Sequence, residues 1–263
     1  MNFDDALKRY APHAWFRFKF LKYKFFKRGE PEIRLVRHLI EPGSTALDIG
    51  CSIGIYAAEM ARHAGKVIAF EANPAVAAFA RSVAPRNVEV INAALSSAPG
   101  RANLKIPLNA RGRRIDELAT IDSGNPLHAV AATTAAVEMK RLDDIPITNC
   151  SFIKIDVEGH EEAVLAGAAA LIAAQHPVLM IELDETLNQG ALARLTTHLA
   201  DMNYRGFFLS QGKLRPIAGF DPARHQNAAN LKPRHKLPRG AEYINNFVFV
   251  PEEKTRRVLV SHP

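Results

Sequence analysis

The sequence predicts an α/β fold built around a mostly parallel sheet, and three observations carry that expectation. Residues 45–74 spell a strand–turn–helix–strand unit. Short apolar runs recur at 88–91, 152–155 and 177–181, each ending on polar residues and separated by helix-forming stretches; strands that alternate with helices in this way pair in parallel through right-handed crossovers. Hydrophobic residues make up 48% of 263 positions, which suits a packed core and excludes a disordered chain.

Residues 8–28 interleave aromatics with cations. Trp15, Phe16, Phe18, Phe20, Tyr23, Phe25 and Phe26 fall close together. A helix from Ala14 puts Trp15, Phe18, Tyr23 and Phe26 near one face, whereas Phe16, Phe18 and Phe20 alternate as a strand would; the helix is preferred. Two readings of the segment stay open. It docks on an anionic membrane surface, or it packs on the body of the protein with its cations solvated, the commoner fate of an aromatic stripe. Residues 29–42 read as a helix opened by Pro31 and closed by Pro42-Gly43.

Residues 46–49 form the first buried strand and Gly50 to Gly54 the turn. A helix follows over 55–63, and a second strand over 67–70 ends at Glu71. Glycines let a ligand approach the backbone, and the helix N-terminus behind them leaves N–H groups free. Two glycines with Asp48 ahead of them depart from the three-glycine dinucleotide fingerprint. A carboxylate there repels a pyrophosphate and suits an ammonium or sulfonium group. Glu71 is placed to accept hydrogen bonds from ribose hydroxyls.

A helix over 75–83 and a third strand over 88–91 lead to Asn92 and Ala93, at a strand end where open α/β sheets bind ligands. Runs at 102–106 and 132–139 suggest a hairpin-like insertion over the sheet, with Arg111, Arg113 and Arg114 solvated between them and a turn at 123–126. The strand at 152–155 delivers Asp156, Glu158, His160 and Glu161 within six residues, more titratable groups than helix capping needs. A helix over 161–174 follows, then a strand over 177–181 ending at Glu182, a helix over 187–201, and last strands at 207–209 and 247–250. Residues 212–240 make a long basic connection.

No apolar run approaches the about 18 residues of a membrane span, and no secretory signal is visible. Cys51 and Cys150 make no disulfide framework, so a reduced, cytoplasmic protein is expected. The net charge of +7 is unevenly placed: residues 1–28 hold eight Lys/Arg against Asp4 and Asp5, and residues 213–240 hold seven against Asp221. The rest is slightly acidic, which points to an anionic surface or substrate at the periphery and not to a nucleic-acid binder.

The pattern D-x-G-x-x-x-G over Asp48 to Gly54, with the later Glu71, resembles motif I of class I S-adenosylmethionine (SAM) methyltransferases, with Ser52 at the middle glycine's place. EPGSTALDIGCSIGIYA, VIAFEANP, NAALSS, IKIDVEGHEEAVLAGA, VLMIEL and NNFVFVP, in that order, resemble the FkbM-type SAM-dependent methyltransferases over residues 30–251. Typical members read Ala-Asn where this chain has Cys51-Ser52.

The resemblance implies a Rossmann-like, seven-stranded, mostly parallel sheet with helices on both faces and one antiparallel strand near the end. It implies SAM as cofactor and O-methylation of a hydroxyl, of a sugar in a glycan or glycolipid or of a secondary metabolite. Within that frame residues 1–28 are a basic aromatic arm and 29–263 the methyltransferase domain. Asp48, Gly50, Ser52, Gly54, Glu71, Asn92 and Ala93 are the expected cofactor residues. Asp156, Glu158 and His160 are the expected catalytic ones, with His160 the favoured base because its ordinary pKa is near neutrality. Asp156, Glu158, His160 and Glu182 could hold Mg²⁺, but acids at a helix start need no metal and no metal site is assigned. The rivals are a nicotinamide-dependent oxidoreductase, and a non-catalytic membrane- or RNA-binding protein that retains the fold. Cytoplasmic localisation is expected, with peripheral contact at the inner face of the membrane through residues 8–28.

Overall fold

The structure is a computed structural model and describes residues 3–25, 30–122, 131–186, 188–227 and 242–261. Two helices, α1 (Phe3–Tyr10) and α2 (Pro12–Phe25), precede a 3₁₀ turn at Pro31–Arg34 and the short α3 (Val36–Leu39). Then come β1 (Thr45–Ile49), α4 (Ile55–Met60), β2 (Lys66–Phe70), α5 (Pro74–Val83) and β3 (Val88–Ile91). β4 (Ala94–Leu95), β5 (Gly100–Pro107) and β6 (Ala132–Lys140) lie apart from the main sheet. The chain returns to it in β7 (Cys150–Ile155), α6 (Glu161–Ala166), α7 (Ala169–Gln175), β8 (Val178–Glu182), α8 (Ala191–Asp201), β9 (Tyr204–Ser210) and β10 (Lys213–Pro216). It closes with α9 (Pro222–His225), β11 (Asn246–Pro251) and α10 (Thr255–Ser261).

The main sheet has the order β10-β9-β11-β8-β7-β1-β2-β3. The pairs β3–β2, β2–β1, β1–β7 and β7–β8 are parallel, and β11 runs antiparallel to both β8 and β9. The sheet therefore has eight strands where seven were expected. The extra one, β10, folds back on β9 through Gln211 and Gly212, both with positive φ. The class and the mostly parallel character are as expected.

β7 is buried along its whole length, as a strand covered on both faces must be. One face of the sheet packs against α6, α7 and α8 through Leu47, Ile153, Leu165, Ile172, Leu179, Leu195 and Phe247. The other packs against α3, α4 and α5 through Val36, Leu39, Ala57, Met60, Ala77, Phe152 and Val248. β5 and β6 form the expected insertion hairpin, with β4 added in parallel to β6. The turn at 123–126 lies outside the described residues, as do residues 228–240 of the long basic connection.

The helix expected over 161–174 is two. It breaks at Gly167, where a Cβ would stand 2.1 Å from the Ser96 carbonyl oxygen. α7 restarts with its Ala170 and Leu171 N–H groups donating to the Asp143 carboxylate, at 3.1 and 2.9 Å. The helix expected from residue 187 begins at Ala191, where Glu185 accepts from the N–H of Gly190 and of Leu192, each at 2.7 Å. Both boundaries are set by carboxylates from outside the helix, which satisfy otherwise orphaned N–H groups.

The arm is a helix, as preferred. Trp15 and Phe16 are buried against Ala58 and Val83, with Ile53, Ile55 and Phe79 around them. Trp15 meets Phe79 edge to face, with centroids 5.4 Å apart. Lys24 Nζ donates to both oxygens of the buried Glu59, at 2.6 Å each. The inner side of α2 is thus packed on the body; its outer side is not.

Candidate active site

A cavity of about 770 Å³ opens at the carboxyl ends of β1, β2, β7 and β8, where an open α/β sheet offers its crevice. Its floor is the turn after β1. Gly50 and Cys51 both donate N–H to the Phe70 carbonyl, at 2.9 Å each, and Asp156 donates to the Ile49 carbonyl at 2.9 Å. These bonds lock the ends of the three central strands together. Gly50 has φ of +80°, and a Cβ there would lie 1.7 Å from the Asp156 carbonyl oxygen. The space its missing side chain leaves is filled by the backbone that follows β7, so Gly50 serves strand packing as well as lining the cavity.

Gly54, with φ of +89°, caps α4 and has nothing nearer to its would-be Cβ than Ala80, at 3.9 Å. It does not line the cavity. Ser52 does, in left-handed conformation with φ of 49°. Its N–H donates to Glu71 Oε2 at 2.9 Å, and the Asn73 N–H donates to Glu71 Oε1 at 2.7 Å. The Glu71 carboxylate is thereby fixed at the end of β2, and burial pushes its pKa up to about 7 despite those two bonds. Asn92 is not on the cavity wall. Its amide donates to the Glu71 and Ala72 carbonyls, at 2.8 and 3.0 Å, and props the end of β2 from β3. Ala93 lines the cavity.

Asp48 is buried on β1 with its Oδ2 lacking any hydrogen-bond partner. Burial raises its pKa to about 7, more than the nearby Lys154 charge and an Ala57 N–H lower it. An orphaned, buried carboxylate oxygen on a cavity wall is costly. A cationic or N–H-bearing group there would satisfy it, so the residues present fit the ammonium end of an amino-acid cofactor on one side and a ribose at Glu71 on the other.

The other wall comes from the segment after β7. Thr120, from the insertion, donates to the Glu158 carbonyl at 2.8 Å and holds Glu158 at φ of 53°. Burial, then the Asp156 and Glu161 charges, push the Glu158 carboxyl up to about 8. Glu161 turns away from the cavity and caps its own helix, accepting from the Gly159 N–H at 3.0 Å. His160 lines the cavity and its Nε2 shares a hydrogen bond with Ser96 Oγ at 2.9 Å. Burial lowers its pKa, so the ring is neutral at neutral pH.

Lys154 was not singled out from the sequence. It points from the middle of β7 into the carboxylate cluster, fully buried, its Nζ 2.9 Å from Asp156 Oδ2, 3.9 Å from Glu182 Oε2 and over the Tyr56 ring. Burial pulls its pKa down, but Asp156, Glu182, Glu30 and Asp48 outweigh that and hold it above the usual lysine range. The sequence signal was there, a lone charge inside an otherwise apolar central strand. Glu30, also not singled out, accepts from Tyr56 OH and from the Asn246 amide, at 2.7 and 3.1 Å. Among the described residues no group of three His, Cys, Asp or Glu is arranged to hold a metal ion. Between Asp156 and Glu182 the positive charge is the Lys154 ammonium.

The remaining cavity walls come from peripheral elements. Leu104, Ala119 and Ile121 of the insertion cover one side, and Lys8, Trp15, Lys19, Lys22 and Tyr23 of the arm another.

The methyltransferase FkbM domain matches residues 48–207. The crystal structure of methyltransferase FkbM from Methylobacillus flagellatus KT matches with a TM-score of 0.50 and 15% identity, over 94% of this chain and 60% of that one. This chain thus spans 60% of the length of that relative. A TehB-like SAM-dependent methyltransferase from Corynebacterium glutamicum ATCC 13032 matches with a TM-score of 0.41 and 12% identity, over 93% of this chain and 98% of that one. At such identities the likeness is one of fold. No curated protein matches the sequence.

Proposed function

The chain belongs to the FkbM methyltransferase domain family, whose cofactor is S-adenosylmethionine, and from that premise we propose that it is an O-methyltransferase acting on a hydroxyl of a sugar in a glycan or glycolipid, or of a secondary metabolite. The observation that carries the reading is one cavity with two unlike walls. Asp48 and Glu71 supply carboxylates for a cofactor, and His160, Glu158 and Asp156 supply proton-handling groups for an acceptor. The cofactor supplies an electrophilic methyl group on a sulfonium.

The chain's own residues do the rest. Asp48 would hold the amino-acid ammonium, Glu71 the ribose hydroxyls and the Gly50–Ser52 turn the methionine backbone, with Ala93 beside the base. Neutral His160 is the group able to take the hydroxyl proton at neutral pH. When Nε2–H donates to Ser96, Nδ1 is the free base. Glu158, held near 8, is protonated at neutral pH and acts as a hydrogen-bond donor to the acceptor. Lys154, 2.9 Å from Asp156 Oδ2, fixes the position of that side chain. Much of the acceleration of methyl transfer comes from holding acceptor and cofactor in line.

The test is transfer of labelled methyl from SAM into separated pools of lipid-linked glycans, small molecules and RNA, followed by variants on the acceptor found. His160→Ala lowers kcat by about 10²–10⁴-fold with the SAM Kd unchanged. Full activity in both His160→Ala and Glu158→Ala removes the assignment of the base. Failure to bind SAM at all favours instead a non-catalytic protein retaining the fold.

A further inference from the structure

We propose that the outward face of α2 docks this protein on an anionic lipid surface. The inference is independent of the methyl-transfer reading. Among the described residues the exposed large hydrophobics are Tyr10 at 71%, Phe18 at 56%, Leu21 at 47% and Phe25 at 62%, all of them on the arm. Phe18, Leu21 and Phe25 follow the i, i+3, i+7 spacing that puts side chains in one line along a helix. Phe16, on the opposite side, and Trp15, beyond the stripe's edge, are buried. α2 is therefore apolar on two sides, and only one of them meets protein. A helix apolar all round belongs in an interior or at an apolar boundary.

The charges around the stripe say which boundary. At 100° per residue Arg17 flanks it on one side and Lys22 on the other, with Lys22 Nζ 5.9 Å from the Phe18 ring centroid. α2 contains no acidic residue. Asp4, the nearest acid on α1, accepts from Trp15 Nε1 at 3.0 Å and from Lys19 Nζ at 3.1 Å, which offsets its charge. An apolar stripe edged by cations matches the acyl boundary and headgroups of an anionic bilayer. A second copy of the chain is a poor occupant, because two such faces would set cations against cations. Trp15, Lys19, Lys22 and Tyr23 of the same helix line the cavity. Docking thus holds the cavity within about one helix diameter, ~10 Å, of the surface.

The experiment is flotation of the full chain with vesicles of phosphatidylcholine alone and of phosphatidylcholine mixed with phosphatidylglycerol. The protein is expected to float with the anionic vesicles only, and less at high salt, where screening shortens the reach of its charges. The triple variant Phe18→Ser, Leu21→Ser, Phe25→Ser should lose binding by more than about tenfold. Arg17→Glu, which leaves the stripe intact, should also lose about tenfold or more. All three variant residues of the stripe and Arg17 lie outside the cavity wall, so SAM binding and the melting temperature should stay as in the parent. Equal flotation with neutral and anionic vesicles, or undiminished binding by the triple variant, overturns the proposal. So does a concentration-dependent dimer that the triple variant abolishes while the parent ignores lipid.

Discussion

Gly50 and Gly54 offer a controlled comparison, because both carry the same backbone demand and only one carries the steric one. Each has φ between +80° and +89°, so an alanine at either pays the left-handed penalty of about 1–2 kcal/mol. At Gly54 little else changes, since the new methyl sits 3.9 Å from the Ala80 Cβ, an ordinary contact. For a chain of this size that corresponds to a fall of roughly 3–6 °C in Tm. At Gly50 the methyl would stand 1.7 Å from the Asp156 oxygen and 2.8 Å from its carbonyl carbon. The end of β7 must retreat by more than about 1 Å, adding overpacking of about 1–3 kcal/mol. It would strain the Asp156 N–H bond to Ile49 and shift the Lys154–Asp156 pair with it. Differential scanning calorimetry and SAM titration read both effects. Gly50→Ala should melt well below Gly54→Ala and bind SAM at least about tenfold more weakly, while Gly54→Ala keeps its affinity within about threefold. Equal losses in the two variants would refute the claim that Gly50 exists for strand packing.

Three further outcomes follow from the buried charges. Asp48 and Glu71 have pKa values raised to about 7, Glu161 to about 7 and Glu158 to about 8. Raised folded-state values mean that the folded chain holds more protons than the unfolded one between about pH 4 and pH 8, so ligand-free stability falls as pH rises through that window. Asp48→Asn removes one such carboxyl; its melting temperature should change less from pH 5 to pH 8 and exceed the parent's at pH 8, while SAM binds more weakly. A parallel pH profile in variant and parent would contradict the burial of a charged Asp48. Lys154→Met leaves Asp156 and Glu182 without their buried counter-charge and should cost about 3–5 kcal/mol, measured by urea unfolding. That cost should shrink at low pH, where Glu182, its pKa raised by burial, is protonated, and a loss independent of pH would show that Lys154 acts by packing alone. Finally, because Ser96 holds His160 Nε2, Ser96→Ala should lower kcat more than it raises KM and shift the acidic limb of the pH–rate profile; an unchanged profile would detach Ser96 from the base.

The central strands and the places where they stop were legible in the sequence because they rest on local signals. A short apolar run that ends in Asp48-Ile49-Gly50, and another that ends in Ile155-Asp156, show where buried parallel strands stop. Residues at those stops share one edge of the sheet whatever the loops do. The same logic carried Glu71 and Ala93 to the cavity wall. It carried Asn92 to the right strand end but not to the right task, since a side-chain amide that satisfies two backbone carbonyls looks in sequence like one that meets a ligand.

What only the tertiary structure decided are contacts between residues far apart in the chain. The Asp156 carbonyl fills the space beside Gly50, Ser96 breaks a helix at Gly167, and Asp143 restarts it. Four carboxylates from different segments make a buried Lys154 tolerable, and burial raises the pKa of Glu158 to about 8. Local periodicity says which face of an element is apolar, and for α2 it finds aromatics on more than one side. Which of those sides the body of the protein covers, and which it leaves to another surface, depends on the position of α4 and α5, and that is a property of the fold.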